Sequence, residues 1–464
     1  MTALRLDNLP EDVLLKILVF TDIYTVLTLS RVNGHLRAIT SVKQLWVLLT
    51  SDLLMRGLFE ASLEEILVKS SEELKAEVKR IVCGPRTWSP DSNSVPALNR
   101  RYWVPLGDNR ASSIVLVPGG EYLVIRKYTD RMDTNLLECW NIRAQRRAWT
   151  WSRIGCTIND FKFTACRGSK MIASLKLRDP SLSISHLLLV EVDLDTGSSR
   201  EIFQISPFHF YGQIYSISQV EDDYFSCVLA TDYTVSAKMK LLLVNHRTEQ
   251  YVTFEYSDAK TEIRIVPYYV FLTCPANEPV SVHVYTIASL QPFWKPLVEI
   301  DLESTLADVM TSPLAVLLVR EHLTPVDKSR FQALDAMFTI DQSLLRRETF
   351  LLRLTDRNGY LGDSTTSIHR LDFSHLQEPR CVLLSSVDTE NTKESVGICV
   401  SRGGYTLSSA TLCKEGIMAT RQRDHASKFI PFENGTRRAR SAVLTPGGGV
   451  MILRVTSAEV FYYD

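Results

Sequence analysis

The sequence predicts a mainly β protein with a short helical segment at its N-terminus, the β part forming a propeller of about seven blades. Three observations carry this. Apolar residues recur at helical spacing up to residue 82, and in short β-rich runs from about residue 111 onward. A strand–turn–strand unit near the start of the β region returns at its end. At 464 residues the chain is too long for a single ordinary core. The expected division is 1–54 as a compact helical module, 55–110 as a helical linker and connector, and 111–464 as the repeat domain.

In the first segment Pro10 suits a first helical position, and Glu11 and Asp12 place negative charge where it complements the helix dipole. Val13, Leu14, Ile17 and Leu18 follow at helical spacing. Asp22 is placed to cap a second helix carrying Ile23, Val26, Leu27 and Leu29. Asn33 is placed to cap a third with Leu36 and Ile39, and Leu45 to Leu54, including Trp46, form a fourth apolar stretch. Ser62 and Glu65 have the spacing of a capping box. A further helix starts at Ser71, carries Leu74, Val78 and Val82, and stops at Cys83-Gly84-Pro85. Residues 86–110 are rich in Pro, Ser and Asn but hold Trp88, Tyr102 and Trp103, so this connector is expected to pack down rather than hang free.

Strand-like runs include Ile114 to Val117, Tyr122 to Ile125, Leu187 to Val190, Leu241 to Val244, Val280 to Val284, Ala315 to Val319 and Val460 to Tyr463. Val115-Leu-Val-Pro-Gly-Gly-Glu-Tyr-Leu-Val-Ile125 is echoed by Val443-Leu-Thr-Pro-Gly-Gly-Gly-Val-Met-Ile-Leu453. Weaker units start near residues 157, 212, 263, 313 and 366, giving about seven units of roughly 50 residues. A blade cannot bury both faces alone, so the units must stack radially, and matching first and last units suit ring closure. Residues 320–348 fit no blade, and Phe331, Leu334 and Met337 are spaced for a short inserted helix.

The repeats resemble degenerate WD-repeat propellers. Cys139-Trp140-Asn141-Ile142 lies where those blades carry Trp-Asp, and Val192-Asp-Leu-Asp-Thr-Gly197 has their strand-to-hairpin ending. Leu9-Pro-Glu-Asp-Val-Leu-Leu-Lys-Ile-Leu18, Asp22-Ile-Tyr-Thr-Val-Leu27, Ser30-Arg-Val-Asn33 and Leu45-Trp46 resemble, in that order, the F-box. Thr21, Asn33 and Leu36 depart from the Leu, Ser and aromatic residues usual at those positions. The resemblance implies docking onto the Skp-type adaptor of a cullin ubiquitin ligase through Leu9, Pro10, Val13, Leu14, Ile17, Val32, Leu36 and Trp46, with the propeller presenting a protein target.

Physical size also points to a partner. Three short helices enclose too small an interior for all these apolar side chains. Burial against another protein returns roughly 1.5–3 kcal/mol per side chain, against an association cost of about 4–15 kcal/mol. About five or six such contacts suffice, and one or two do not. Leu15, Leu18, Val26 and Leu27 are expected in the module's own core.

Bulk properties narrow the function classes. A net charge of −1 supplies no overall field for nucleic acid or an anionic membrane. Asp7, Glu11 and Asp12 stand where a secretory leader is basic, and no apolar run is long enough to span a bilayer. Nine cysteines without a Cys-x-x-Cys pair suit reduced thiols, so the expected location is cytoplasmic or nuclear, and Asn434-Gly435-Thr436 reads as a turn rather than a glycosylation site.

Asp195-Thr196-Gly197 resembles an aspartic-protease loop, but such enzymes need two carboxylates sharing a proton. No second copy occurs, and Asp-Thr-Gly after a strand is ordinary hairpin chemistry. No zinc-protease, serine-hydrolase, phosphate-loop or dinucleotide motif is present, and the nine histidines never pair at ligand spacing. No catalytic residue, cofactor or metal is therefore expected. The basic clusters Arg143 to Arg147 and Arg437-Arg438-Ala439-Arg440 read as solvated loops. Two alternatives stand beside the ligase reading. One is a non-ligase scaffold whose propeller bridges partners, and the other a propeller enzyme, for which fold alone supplies no catalytic claim.

Overall fold

Asp22 and Asn33 start their helices as their spacing predicts: Asp22 Oδ1 accepts from the Thr25 amide at 2.7 Å, and Asn33 Oδ1 from the Leu36 amide at 2.8 Å. The structure, a computed structural model, describes residues 9–89, 91, 95–106, 111–128, 135–164, 167–179, 184–205, 213–230, 239–254, 263–274, 281–299, 313–318, 337–358, 363–373, 380–389, 399–400, 405–407, 416–421, 427–431, 441–445, 449–454 and 457–463. Its helices are α1 (Glu11–Phe20), α2 (Ile23–Leu29), α3 (Gly34–Thr40), α4 (Lys43–Met55), α5 (Leu63–Val68) and α6 (Ser71–Cys83). Phe331, Leu334, Asn434 to Thr436 and Arg437 to Arg440 lie outside the described residues.

All six helices share one core. Leu14, Leu18, Val26, Leu36, Ile39, Leu45 and Trp46 pack with Ile66 of α5 and with Leu74, Val78 and Ile81 of α6. The helices beyond residue 54 thus complete the docking module instead of linking it to something else. Ser62 does accept from the Glu65 amide, at 3.2 Å, but the Glu65 carboxylate does not return to it. It pairs with Arg143 at 2.5 Å instead. The reciprocal box sits one helix later, where Ser70 Oγ accepts from the Glu73 amide at 3.3 Å and Glu73 Oε2 accepts from the Ser70 amide at 2.7 Å.

The described strands form seven antiparallel sheets, and the chain is a β-propeller. In the first two, the strands Ala111–Leu116, Tyr122–Tyr128, Asn135–Asn141 and Arg146–Ser152, then Thr157–Phe163, Lys170–Asp179, Ile184–Asp193 and Ser198–Ile205, lie in chain order. First strands of successive sheets touch one another (Thr157–Phe163, Gln213–Glu221, Ile263–Val266 and Met337–Gln342), so they line the axis. Continuous apolar runs follow from radial stacking. Leu188 and Val190 pack toward the first blade while Leu187 and Leu189 pack toward the third, and Leu241 to Val244 divide the same way.

The last sheet closes the ring. Ser441–Leu444, Val450–Leu453 and Ser457–Tyr463 are joined by Leu98–Pro105 from the opposite end of the β region, with Tyr102 opposite Val460 and Val104 opposite Ala458. A strand that sequence assigns to the connector is therefore the outer strand of the final blade, and the ring begins at Leu98 rather than near 111. The connector does pack down before it. Trp88 is fully buried, 5.5 Å from the ring centres of Tyr405 and Tyr463, between the sixth and seventh blades.

The turns from third to fourth strand reveal the repeat better than the Trp-Asp position does. Asn141, Asp193 and Asn245 each accept two backbone amides, two and three residues on, at 2.9–3.1 Å. The residue four places on has positive φ each time: Gln145, Gly197 and Glu249. Asp195-Thr196-Gly197 is this turn.

Unit starts expected at 157, 212 and 263 coincide with first strands. Those expected near 313 and 366 do not. Ala315–Leu318 is the fourth strand of blade four and Asp363–Asp372 the third of blade five, because a long stretch of sequence separates the third and fourth strands of blade four, and Lys295–Pro296 within it pairs with blade three as a fifth strand. Blades five and six begin at Met337 and Cys399, so Met337 opens a strand rather than belonging to an inserted helix.

Candidate docking site

Helix α1 is apolar on more sides than its core needs. Leu14 and Leu18, one turn apart, are 1% exposed and face the helical core. Val13, Ile17 and Phe20 form a second stripe on the same helix, exposed at 37%, 40% and 79%. Leu15 and Val19 make a third, lining a groove of about 230 Å³ with Leu45 and Leu48 of α4, rimmed by Asp12, Lys16 and Gln44. A helix that is apolar nearly all round is stable only when covered. Val32, 63% exposed at the corner between α2 and α3, adds to the uncovered surface.

The eight residues expected to dock divide accordingly. Pro10, Val13, Ile17 and Val32 are exposed, and Leu9 is half-buried against the helical core. Leu14, Leu36 and Trp46 are not surface residues. They are 1%, 3% and 1% exposed, and the Trp46 indole donates to the Thr40 carbonyl at 2.7 Å inside the module. Their role is to hold the helices that carry the exposed stripe. Phe20, Leu48 and the groove were not expected from sequence; the period of α1 shows three apolar stripes but not which one faces in. Of the residues expected in the core, Leu18 and Val26 are buried, and Leu15 and Leu27 pack partly buried against it.

The departures from the usual pattern have local explanations. The Thr21 hydroxyl donates to the Leu18 carbonyl at 2.8 Å and closes α1, while Asn33 caps α3. Leu36 fills core space in place of a larger ring.

The module sits on one face of the ring and is held at two places. At the first, the connector after α4 brings Glu60 against the Gly119–Gly120 turn of blade one and the Thr445 turn of blade seven, where Thr445 Oγ1 donates to Glu60 Oε2 at 3.2 Å. Gly119 and Gly120 belong to the Pro-Gly-Gly of the first repeat copy, and Thr445 directly precedes that of the second, whose residues 446–448 lie outside the described residues. Nearby, burial disfavours the charged form of Glu65, but hydrogen bonding and charge from Arg143, helped by Arg100, outweigh it and hold the carboxyl below its ordinary value. Arg143, part of a cluster expected to be a solvated loop, is thus half-buried and structural. Burial and the neighbouring Glu60 push the Tyr462 phenol well above its ordinary range. At the second place, Leu344 and Leu345 of blade five pack into the helical core. The contacting turns join first to second or third to fourth strands, which in an antiparallel blade lie on the same face.

A family model, F-box domain, matches residues 6–48. The chain is an F-box protein with a β-propeller. F-box domains generally bind Skp-type adaptors of cullin ligases, and F-box proteins generally act as substrate receptors rather than enzymes. No curated protein matches the chain. Among solved structures, the β-propeller domain of the Trilobed protease from Pyrococcus furiosus is similar at 13% identity, covering 77% of this chain and 95% of that one, with a TM-score of 0.40. The Dos1 propeller is similar at 11% identity over 80% and 82% of the two chains, TM-score 0.39. Pyrococcus horikoshii acylaminoacyl peptidase is similar at 10% identity, TM-score 0.41, over 76% of this chain and 51% of that one, so the F-box protein spans about half the peptidase's length. Among the described residues of the F-box protein, no helix is long and apolar enough to cross a membrane.

Proposed function

We propose that the F-box protein is a substrate receptor of a Skp–cullin ligase. Its exposed α1 stripe docks the adaptor, and the propeller presents a protein target on the face away from the helices. The observation that carries this is the uncovered apolar surface of Val13, Ile17, Phe20 and Val32 within the matched F-box. The groove beside it offers a socket for a partner helix, a common use of apolar clefts on helical proteins. The role is positional: the receptor breaks no bond and holds its target near a ubiquitin-carrying partner.

The test is co-purification of the full-length chain with the Skp-type adaptor, repeated with Pro10→Ala combined with Ile17→Asp. Both side chains are exposed, so the variant keeps its fold by circular dichroism while a charge enters the apolar stripe. Loss of the adaptor is expected. Undiminished binding by the double variant sinks this docking surface.

A further inference from the structure

Blade five sends one side chain into a core that belongs to the helices. Leu344 is 6% exposed beside Ile23, Leu49 and Leu53, within the core that Leu14 and Leu18 also fill, and Leu345 packs partly buried against that core. The residues around Leu344 are fastened to four separate points of the helical module. Arg56 Nε donates to Gln342 Oε1 at 3.0 Å, and Arg56 Nη2 to the Ser343 carbonyl at 3.3 Å. The Tyr24 amide, at the first turn of α2, donates to the Leu345 carbonyl at 2.9 Å. Arg346 lies 3.9 Å from the centre of the Tyr24 ring. Arg347 pairs with Asp52 at 3.4 Å and donates to the Phe20 carbonyl at 3.3 Å.

A turn joining two strands of an ordinary blade needs none of this. The loop's own closure uses Ser343, whose amide donates to the Thr349 carbonyl at 2.8 Å and whose Oγ accepts from the Leu345 and Arg346 amides at 3.3 Å, and Gln342, whose side-chain amide donates to the Arg347 carbonyl at 2.7 Å. Arg346 also pairs with Asp372 of its own blade at 3.4 Å, and the other contacts named above run to α1, α2 and α4. The second anchor, around Glu60, lies across blade six on blades seven and one. One anchor alone permits a swing about it. Two anchors separated by a blade do not.

We infer that residues 343–347 are a latch that fixes the orientation of the F-box relative to the propeller, with Leu344 as its plug and Arg346 and Arg347 as its guides. The ligase role given to that orientation rests on the proposed function; the latch itself rests on contacts within the chain. With it closed, the stripe of α1 and the far face of the ring keep a set separation. Arg347 grips the carbonyl of Phe20, the last residue of that stripe, so the latch also holds the end of the docking helix.

The experiment uses the full chain, free and with the Skp-type adaptor, and compares wild type with Leu344→Asp and Leu344→Met. Small-angle scattering reads the arrangement of the two parts, and hydrogen exchange reads the Tyr24 amide. Wild type and Leu344→Met are expected to give the same compact scattering envelope and slow exchange. Leu344→Asp is expected to enlarge the envelope and speed Tyr24 exchange at least about 10-fold, while adaptor affinity stays within about 2-fold and exchange in the blade strands is unchanged. Arg347→Ala, a milder surface change, shifts both readouts in the same direction by less. An unchanged envelope and unchanged Tyr24 exchange in Leu344→Asp overturn the latch. So does loss of adaptor binding in step with a melted module, which makes Leu344 a core residue and nothing more. If wild type itself fails to bind the adaptor, the proposed function fails, and scattering of the free chain still decides the latch.

Discussion

Replacing Gly120 by Ala perturbs the joint at one atom. Gly120 has φ +73°, a conformation that costs an L-residue about 1–2 kcal/mol. A Cβ built there meets Glu60 Cγ at 2.5 Å and Cβ at 2.7 Å, so the clash is with the root of that side chain rather than its mobile tip. Glu60 has little room to move: it is buried, Thr445 donates to its carboxylate, and Arg143 donates to its carbonyl at 3.4 Å. Forcing a methyl into such packing costs a further 1–3 kcal/mol or so. The total is roughly 2–5 kcal/mol.

Gly168→Ala is the internal control, because Gly168 has φ +63° and open space around its Cβ direction, leaving only the conformational cost. Unfolding entropy of about 2.1 cal/mol/K per residue gives roughly 1 kcal/mol/K if the chain melts as one unit. Differential scanning calorimetry should then show Gly168→Ala lowering Tm by about 1–2 °C and Gly120→Ala by about 2–5 °C. Adding Glu60→Ala to Gly120→Ala removes the Cγ clash and should recover part of that difference, a coupling read as a double-mutant cycle. Equal shifts for the two glycine variants, or no coupling with Glu60, would refute the contact between the helical module and blade one.

Two other substitutions probe the ring. Trp88→Ala empties a fully buried site between the sixth and seventh blades, and the expected loss of about 3–5 kcal/mol should show as faster hydrogen exchange in Leu98–Pro105, the closing strand; slow exchange there would detach Trp88 from closure. Glu221 tests charge. Burial, with Asp222 adding to it and Arg167 opposing, pushes its carboxyl up to about 7, above an ordinary value near 4.3. A raised carboxyl is at full advantage below its unfolded value and loses that advantage as pH rises through the folded one. Glu221→Gln should therefore raise Tm at pH 8, by up to about 3 kcal/mol in stability, with the gain fading toward pH 5. A gain that is the same at both pH values contradicts this reading.

How much of this was legible in the chain depends on the range of each contact. Caps at Asp22 and Asn33 are formed by residues three apart, and their spacing alone finds them. Blade strands such as Leu187 to Val190 are legible because radial stacking buries both their faces, leaving an unbroken apolar run. Leu98–Pro105 is hidden for the opposite reason. As an outer strand it alternates half-buried and exposed positions, and Arg100, Arg101 and Pro105 make it look like connector. On α1, Val13 and Ile17 have the same spacing and apolar character as Leu14 and Leu18, so periodicity cannot rank the two stripes. Only the positions of α3 and α4 decide which pair is covered, which is why Leu14, Leu36 and Trp46 read as partner contacts when they are core.

The joint between module and ring lies beyond any local pattern. Arg56 meets Gln342 across 286 positions and Glu60 meets Thr445 across 385. Contacts so distant form late, because chain entropy must be lost before they return anything. The helical core includes Leu344, so it cannot be complete until blade five exists, and blade seven cannot close until Ser457–Tyr463 finds Leu98–Pro105. Both anchors and the closing strand therefore depend on the same event, the return of the C-terminal half to the N-terminal hundred residues. A module built from its own short helices alone leaves Leu49 and Leu53 without their plug, and a ring without residues 98–105 leaves its last blade one strand short. The placing of the α1 docking surface over the propeller is thus set by contacts that form only when the chain's two ends meet. A substitution at the joint should loosen how the module is held on the ring, whereas one on the exposed face of α1 should be felt only by what binds there.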